Sequence, residues 1–226
     1  MNKTLLATGI TLFALLFTVA AGAQELKDRF FHSIGYTLIL DGFRLPSFSD
    51  AAFYGNQADQ VSGLSIFTYL YEPRINIIDL NENTSIDVHA IPALGFSLNT
   101  QGNSHYLGSF SLPLLAGINF GNISTYETRK DVGFGIAFGY EYFNGGLIMI
   151  DGEKTPNTKV SVLQPAAQFA VRYWSRSNKA KEISLFFGLG SKNAANLDYS
   201  DPLSPPIGVA SGSYHFRISW ATYLNY

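Results

Sequence analysis

The sequence predicts an all-β chain, a closed eight-stranded antiparallel up-and-down transmembrane β-barrel. Three observations predict it. Large apolar residues alternate with small or polar ones through most of the chain beyond residue 24, these segments number eight, and the connections between them run loosely long and short in turn. Period-two alternation marks a strand with one apolar face. An even number of antiparallel strands brings both termini to one side, with short turns there and longer loops opposite.

The clearest element spans residues 132–142. Val132, Phe134, Ile136, Phe138, Tyr140 and Tyr142 share one face, and Gly133, Gly135, Ala137, Gly139 and Glu141 share the other. A barrel in lipid turns the large face outward and lines a narrow interior with the small one. The last element, 213–226, repeats this: Tyr214, Phe216, Ile218, Trp220, Thr222, Leu224 and Tyr226 oppose Ser213, His215, Arg217, Ser219, Ala221, Tyr223 and Asn225. An arginine in mid-strand needs a solvated or paired location, which a filled polar lumen supplies.

Six further elements follow the pattern less strictly. In 30–40, Ile34, Tyr36, Leu38 and Leu40 oppose Ser33, Gly35 and Thr37. The long segment 61–77 has mixed faces, with Glu72 and Arg74 on one of them. In 85–99, Ile86, Val88, Ala90, Pro92 and Leu94 oppose Asp87, His89 and Gly95. In 106–121, Phe110, Leu112, Leu114, Ile118 and Phe120 oppose Ser109, Ser111, Gly117 and Asn119. Segment 160–174 groups Gln164, Gln168 and Arg172 against Phe169, Val171 and Tyr173. In 182–190, Ile183, Leu185, Phe187 and Leu189 oppose Ser184, Gly188 and Gly190, and Phe186 breaks the rule. Pro92, Pro113 and Pro165 fall inside these segments. Proline removes a ladder donor and belongs at edges, bulges or strand ends, so a closed barrel must place all three at bulges or interruptions.

Connections 41–60, 143–159 and 191–211 are long, 79–84 and 175–181 are short, and 122–131 is intermediate. Only 99–105 is short where a long loop is expected. The short side would face the periplasm.

Composition narrows the function classes. The chain has 226 residues, within the range of one domain. Hydrophobic residues are 46% and charged residues 14%, which excludes intrinsic disorder. A net charge of −2 offers no basic field for nucleic acid. With no cysteine, disulfides, cysteine-based zinc sites, thiol nucleophiles and a lipid-modified N-terminal cysteine are excluded.

Residues 1–23 carry Lys3, an apolar run from Leu5 to Ala21 and the small-x-small ending Ala21-Gly22-Ala23, followed by Gln24 and Glu25. That is the layout of a secretory signal peptide. The sequence therefore divides into a signal peptide at 1–23 and a barrel at 24–226.

Three stretches carry a family resemblance: Ser111-Leu112-Pro113-Leu114-Leu115-Ala116-Gly117, the alternating run from Asp131 to Tyr142, and the final strand ending on an aromatic residue. The chain resembles the outer-membrane-protein β-barrel family of Gram-negative bacteria, in the small form common in the Bacteroidota, with OmpA/OmpX-type barrels as architectural relatives. The resemblance implies outer-membrane localisation, Pro113 tolerated in its strand, and Tyr226 as the C-terminal signal read by the barrel-insertion machinery. It implies no shared catalytic residues.

Glu72, Arg74, Asp87, Glu141, Arg172 and Arg217 fall on inward faces with His89 and His215, and would form a structural network filling the lumen. Eight strands leave an interior just wide enough for side chains. Asp87 and His89, two residues apart on one face, could instead form an acid–base dyad or two metal ligands, but no third ligand stands at motif spacing. The other histidines, His32 and His105, are scattered, and no phosphate loop, G-x-S-x-G elbow or H-E-x-x-H helix occurs. No catalytic, cofactor or metal residue is therefore assigned. Trp174, Trp220, Tyr140, Tyr142, Tyr214, Tyr223 and Tyr226 are candidates for an interfacial aromatic belt. The segment 193–211, with Asp198, Tyr199, Asp201 and three prolines, is either an exposed loop or a partner-binding one.

The expected function is a non-enzymatic, monomeric outer-membrane barrel with a structural or loop-mediated binding role, its partners being lipid and, during biogenesis, the insertion machinery. Two alternatives are a small barrel enzyme acting on lipid or peptide at the membrane surface, and a soluble periplasmic lipocalin-like carrier whose apolar faces would point inward.

Overall fold

A computed structural model describes residues 28–44, 60–99, 106–149, 159–190, 195–198 and 212–225. The expected signal peptide, Tyr226, His105 and most of 191–211 lie outside the described residues. Ten strands form: β1 (Phe30–Arg44), β2 (Gln60–Asn81), β3 (Thr84–Ala90), β4 (Ala93–Asn99), β5 (Tyr106–Gly121), β6 (Val132–Met149), β7 (Lys159–Trp174), β8 (Ala180–Gly190), β9 (Ala195–Asp198) and β10 (Gly212–Tyr223).

These ten strands build eight staves. β3 and β4 both lie between β2 and β5, separated by Ile91 and Pro92, and act as one broken stave. β9 pairs with the upper end of β7, where β8 has left it, and continues the β8 stave. Every pairing is antiparallel between neighbours, and β1 closes the ring by pairing with both β2 and β10. Among the described residues closure gives each stave a ladder on both sides, while the short β9 segment itself pairs with β7 alone.

The three prolines fall where the ladders pause. Pro92 sits in the β3–β4 break and its carbonyl accepts from Tyr71 N at 3.0 Å. Pro113 lies opposite that break and accepts from Ile91 N at 3.1 Å. Pro165 falls between the β7 residues that pair with β9, ending at Val162, and those that pair with β8, beginning at Ala166. In each case the missing donor falls at a gap.

The mixed faces of residues 61–77 have a single cause. The registers of β2 with β1 and with β4 both shift around Phe67, whose φ is +54°. This bulge adds one residue and flips the phase. Below it Thr68, Leu70, Glu72, Arg74 and Asn76 point inward; above it Ser65 does. Several strands also outrun the expected boundaries: β1 extends to Arg44 and β6 to Met149.

The alternation gives the barrel its sidedness. Buried inward residues include Ser33, Thr37, Asp41, Asp87, His89, Glu141, Gln164, Gln168, Arg172 and Arg217, while Tyr36, Leu114, Phe134, Phe138, Leu163, Phe187 and Trp220 are exposed outward. Tyr223 corrects the belt expectation. It shares the inward face of β10 and is 3% exposed, whereas Trp174, Trp220, Tyr140 and Tyr214 face out.

Closure at the β1–β10 seam depends on a missing side chain. A Cβ on Gly35 would stand 1.9 Å from the Trp220 carbonyl oxygen and 2.7 Å from Ala221 Cα, both backbone atoms. Overpacking that cannot relax costs on the order of 3 kcal/mol. Gly35→Val is expected to abolish the heat-modifiable folded band on a gel, whereas Leu38→Val on the same strand, facing out, leaves it intact.

Candidate functional site: the charged lumen

The inward faces bring the eight sequence-predicted lumen residues, Glu72, Arg74, Asp87, His89, Glu141, Arg172, His215 and Arg217, into the barrel interior, all essentially buried. They fall into two clusters.

The cluster nearer the short-turn end gathers Glu72 and Arg74 from β2, Asp87 and His89 from β3, Arg172 from β7, Glu182 from β8 and Tyr223 from β10. Arg172 is its hub. Its Nε donates to Glu182 Oε2 at 2.7 Å and to Tyr223 OH at 3.0 Å, and its Nη1 donates to Asn119 Oδ1 at 2.6 Å. Tyr223 OH donates in turn to Glu182 Oε2 at 2.8 Å. Asn119 passes the chain on, its amide donating to Asp87. Asp87 Oδ1 lies 2.7 Å from His89 Nδ1, and His89 Nε2 lies 2.8 Å from Gln168 Oε1. Arg74 Nε stands 4.0 Å from Asp87 Oδ2, with its guanidinium 4.6 Å over the Phe31 ring. Gly135 makes room for this: a Cβ there would lie 2.8 Å from Asn119 Oδ1 and 3.1 Å from Arg172 Nη2.

The second cluster lies toward the strand ends that lead into the long connections. Glu141 is its hub. Its Oε1 accepts from Ser111 Oγ at 2.6 Å and sits 2.5 Å from His215 Nδ1, and its Oε2 accepts from Gln164 Nε2 at 2.9 Å. Arg217 Nη1 donates to Ser111 Oγ at 3.1 Å while its guanidinium stacks 4.5 Å over Phe186. That contact explains the one apolar exception on β8. Phe186 turns inward, 1% exposed, and joins Leu70, Ile91, Leu115 and several alanines in an apolar patch of the lumen.

The segment 122–131, expected as a plain connection, folds against the mouth of the barrel. Arg74 Nη2 donates to the Ile123 carbonyl, and Asn76 Nδ2 and Ser85 Oγ donate to the Ser124 carbonyl at 2.7 and 2.5 Å. Thr125 Oγ1 reaches the Glu82 carbonyl at 2.5 Å. Ile123 is fully buried in an apolar cluster with Phe31, Ala180 and Tyr223, although its φ is +58°. A β-branched residue in that region is strained, so the packing around it holds it there.

Asp41 and Glu182 also belong to the lumen, and the inward-facing list drawn from the sequence lacks them. Glu182 shares parity with Ser184 and was legible from it. Asp41 lay beyond the expected end of its strand. The Asp87–His89 pair has the geometry of a dyad, but it is sealed among Asn119, Gln168 and Arg74, and the second imidazole nitrogen meets the Gln168 amide oxygen rather than a nucleophile. No group of three metal-ligating side chains occurs among the described residues. The arrangement links charged groups to one another across the lumen, and leaves Glu72 Oε1, Asp41 Oδ1, Glu182 Oε1 and Arg217 Nε without a hydrogen-bond partner.

Removing one partner of a buried ion pair costs about 3–5 kcal/mol, because the other is left uncompensated. Arg172→Met is therefore expected to lower the urea midpoint of the folded barrel sharply. Arg172→Met combined with Glu182→Gln should lose less than the two single losses added together, the mark of direct coupling. Strict additivity would contradict the network.

No protein-family model and no curated protein matches the sequence. Among solved structures, the chain is similar to the crystal structure of the outer membrane protein OprG from Pseudomonas aeruginosa, with a TM-score of 0.46 and 11% identity over 88% of this chain and 97% of that one. It is also similar to the solid-state NMR structure of the outer membrane protein AlkL in DMPC lipid bilayers, with a TM-score of 0.46 and 12% identity over 87% of this chain and 90% of that one.

Proposed function

We propose that the chain is an integral outer-membrane barrel of non-enzymatic role, which supports the envelope or presents its long connections for binding, while its lumen is filled by side chains. One observation carries this reading: around the closed ring, the charged residues face in and the large apolar residues face out. A soluble carrier needs the reverse, because its ligand cavity would be lined by the aromatic face. Water is a poor solvent for a continuous outer surface of Tyr36, Tyr69, Leu114, Phe134, Phe138, Leu163 and Trp220, and patches of that extent mark a membrane or an interface.

The dimensions fit. The outward apolar run on β6, from Val132 to Tyr142, spans roughly 26 Å along the barrel axis at ~3.4 Å per residue and ~40° tilt, against an apolar band of about 25 Å in such barrels. Lys181 and Thr222, paired across β8 and β10, mark its lower boundary, with outward Trp220 next above them. No helix among the described residues is long and apolar enough to cross a membrane, so strands would do the crossing.

The same reading takes residues 1–23 as a cleaved export signal and Tyr226 as the insertion signal, and the resemblance through 111–117 and 131–142 supports a Bacteroidota-type family. Its partners are outer-membrane lipid and the insertion machinery, and it acts as a monomer. A hydrolytic role has no supporting constellation among the described residues.

The chain holds only two tryptophans, Trp174 and Trp220, and both face out. Reconstituted into bilayers containing brominated acyl chains, the protein is expected to lose most of its tryptophan fluorescence. Unquenched emission from a protein that stays in the soluble fraction would overturn the proposal.

A further inference from the structure

At the short-turn end the exposed charges are shared unevenly among the connections. The β2–β3 turn carries Asp79 and Glu82 and no cation, and the segment 122–131 balances Arg129 and Lys130 against Glu127 and Asp131. The β7–β8 turn is different. It carries Arg176 and Lys179, and Lys181 follows on the outward face of β8. No carboxylate accompanies these cations on the outside, because the next residue, Glu182, points inward and is held by Arg172 and Tyr223. Among the described residues none of the three forms an ion pair.

The turn is held in one shape. Ser175 N and Ser175 Oγ both donate to the Lys179 carbonyl, at 2.9 and 2.8 Å, and Asn178 N donates to the Ser175 carbonyl at 3.0 Å. Asn178 has a φ of +53°, a left-handed conformation that asparagine tolerates. Lys181 is in register with Tyr173 on β7 and with Thr222 on β10. Side chains directly opposite across neighbouring strands start about 5 Å apart, so a phenol and a hydroxyl flank the ammonium, and all three can donate to one anion.

Above this row, toward the middle of the barrel, Ile183 and Leu185 continue the outward face of β8. Both are half-buried, between Trp220 on β10 and Phe169 on β7, which are 50% and 41% exposed. An apolar furrow thus starts at the donors and runs along the strand. Cations at the turn, hydroxyls at the boundary and a furrow beyond them match one kind of molecule, an amphiphile with a phosphate head and acyl chains.

We infer that this face binds an anionic phospholipid, its phosphate at Lys181, Tyr173 and Thr222 and an acyl chain along Ile183 and Leu185. Arg176 and Lys179 supply the preference for the anionic head. A zwitterionic head carries an ammonium or choline group beyond its phosphate, and that group would lie against two cations with no carboxylate to receive it. A head of hydroxyl groups meets no such repulsion. The site presupposes that the barrel is inserted in a bilayer, and adds a headgroup preference at one place on its rim.

Both tryptophans of the chain border this face: Trp220 pairs with Ile183, and Trp174 ends β7 opposite Ala180. Their fluorescence therefore reports which lipid occupies it. The full chain is refolded into phosphatidylcholine vesicles in which a fixed minor fraction of the lipid is brominated phosphatidylglycerol or, in a parallel set, brominated phosphatidylcholine. Phosphatidylglycerol is expected to quench more strongly, with a relative association constant of roughly fivefold, the weight of one cation at an anionic surface. The Arg176→Gln, Lys179→Gln, Lys181→Gln triple variant is expected to be quenched equally by the two lipids. Equal quenching of the wild type, or a preference kept by the variant, overturns the site. Should the variant not fold, the wild type in about 1 M salt decides, where the Debye length falls to ~3 Å: loss of the preference supports the site and an unchanged preference overturns it. Inorganic phosphate added at matched ionic strength is expected to leave the preference in place, and its abolition would overturn the lipid as the ligand. Absence of quenching in bilayers made wholly of brominated phosphatidylcholine would overturn the membrane reading and the site with it, whereas equal quenching by the two headgroups overturns the site alone.

Discussion

Eight staves closed into a ring leave no room for bulk water inside, so a charge that points inward is surrounded by other side chains rather than by solvent. The rest of the molecule depends on this constraint. It explains why Arg172 reaches across to Glu182, Tyr223 and Asn119, on three different staves. It explains why glycine and alanine dominate the inward face of β6, directly beneath the largest side chains of the lumen. Small residues on one stave are the space into which long ones on another extend, as Gly135 shows for Arg172.

The same constraint organises the ends. At the short-turn side the chain folds 122–131 back over the opening and gives its carbonyls to donors already inside, Arg74, Asn76 and Ser85. The left-handed conformation of Ile123 is tolerated because its side chain fills the apolar gap between Phe31, Ala180 and Tyr223. A segment without regular structure thus completes the hydrogen bonding of the strands above it.

Period two is a strong signal and made most of the fold readable in advance. The faces of β6 and β10 stand in the structure as the residue pattern orders them, and the eight lumen residues read from parity all lie inside. What escaped has local physical causes. Phe67 adopts a positive φ and adds a residue to β2, which inverts the phase of everything beyond it; nothing in the types of its neighbours announces the bulge. Tyr223 is aromatic and near the end of a strand, so residue type suggests the interface, but parity places it inside, and parity decides because a one-residue slip would turn every other side chain of β10 over. Asp41 was hidden by a turn-like composition after Leu40, although its strand continues in register with β10 to Arg44. The cap at 122–131 is a matter of long-range donors and is not written in its own residues.

The sidedness of β6 is the claim on which the barrel, the lumen and the membrane reading all stand, and the absence of cysteine makes it directly measurable. Single cysteines placed in turn at residues 132 to 142, spin-labelled in lipid vesicles, report their exposure to oxygen dissolved in the acyl chains. This sidedness predicts a period-two profile with maxima at Val132, Phe134, Ile136, Phe138 and Tyr140 and minima at Gly133, Gly135, Ala137, Gly139 and Glu141. A profile of opposite phase, or one without alternation, would contradict it.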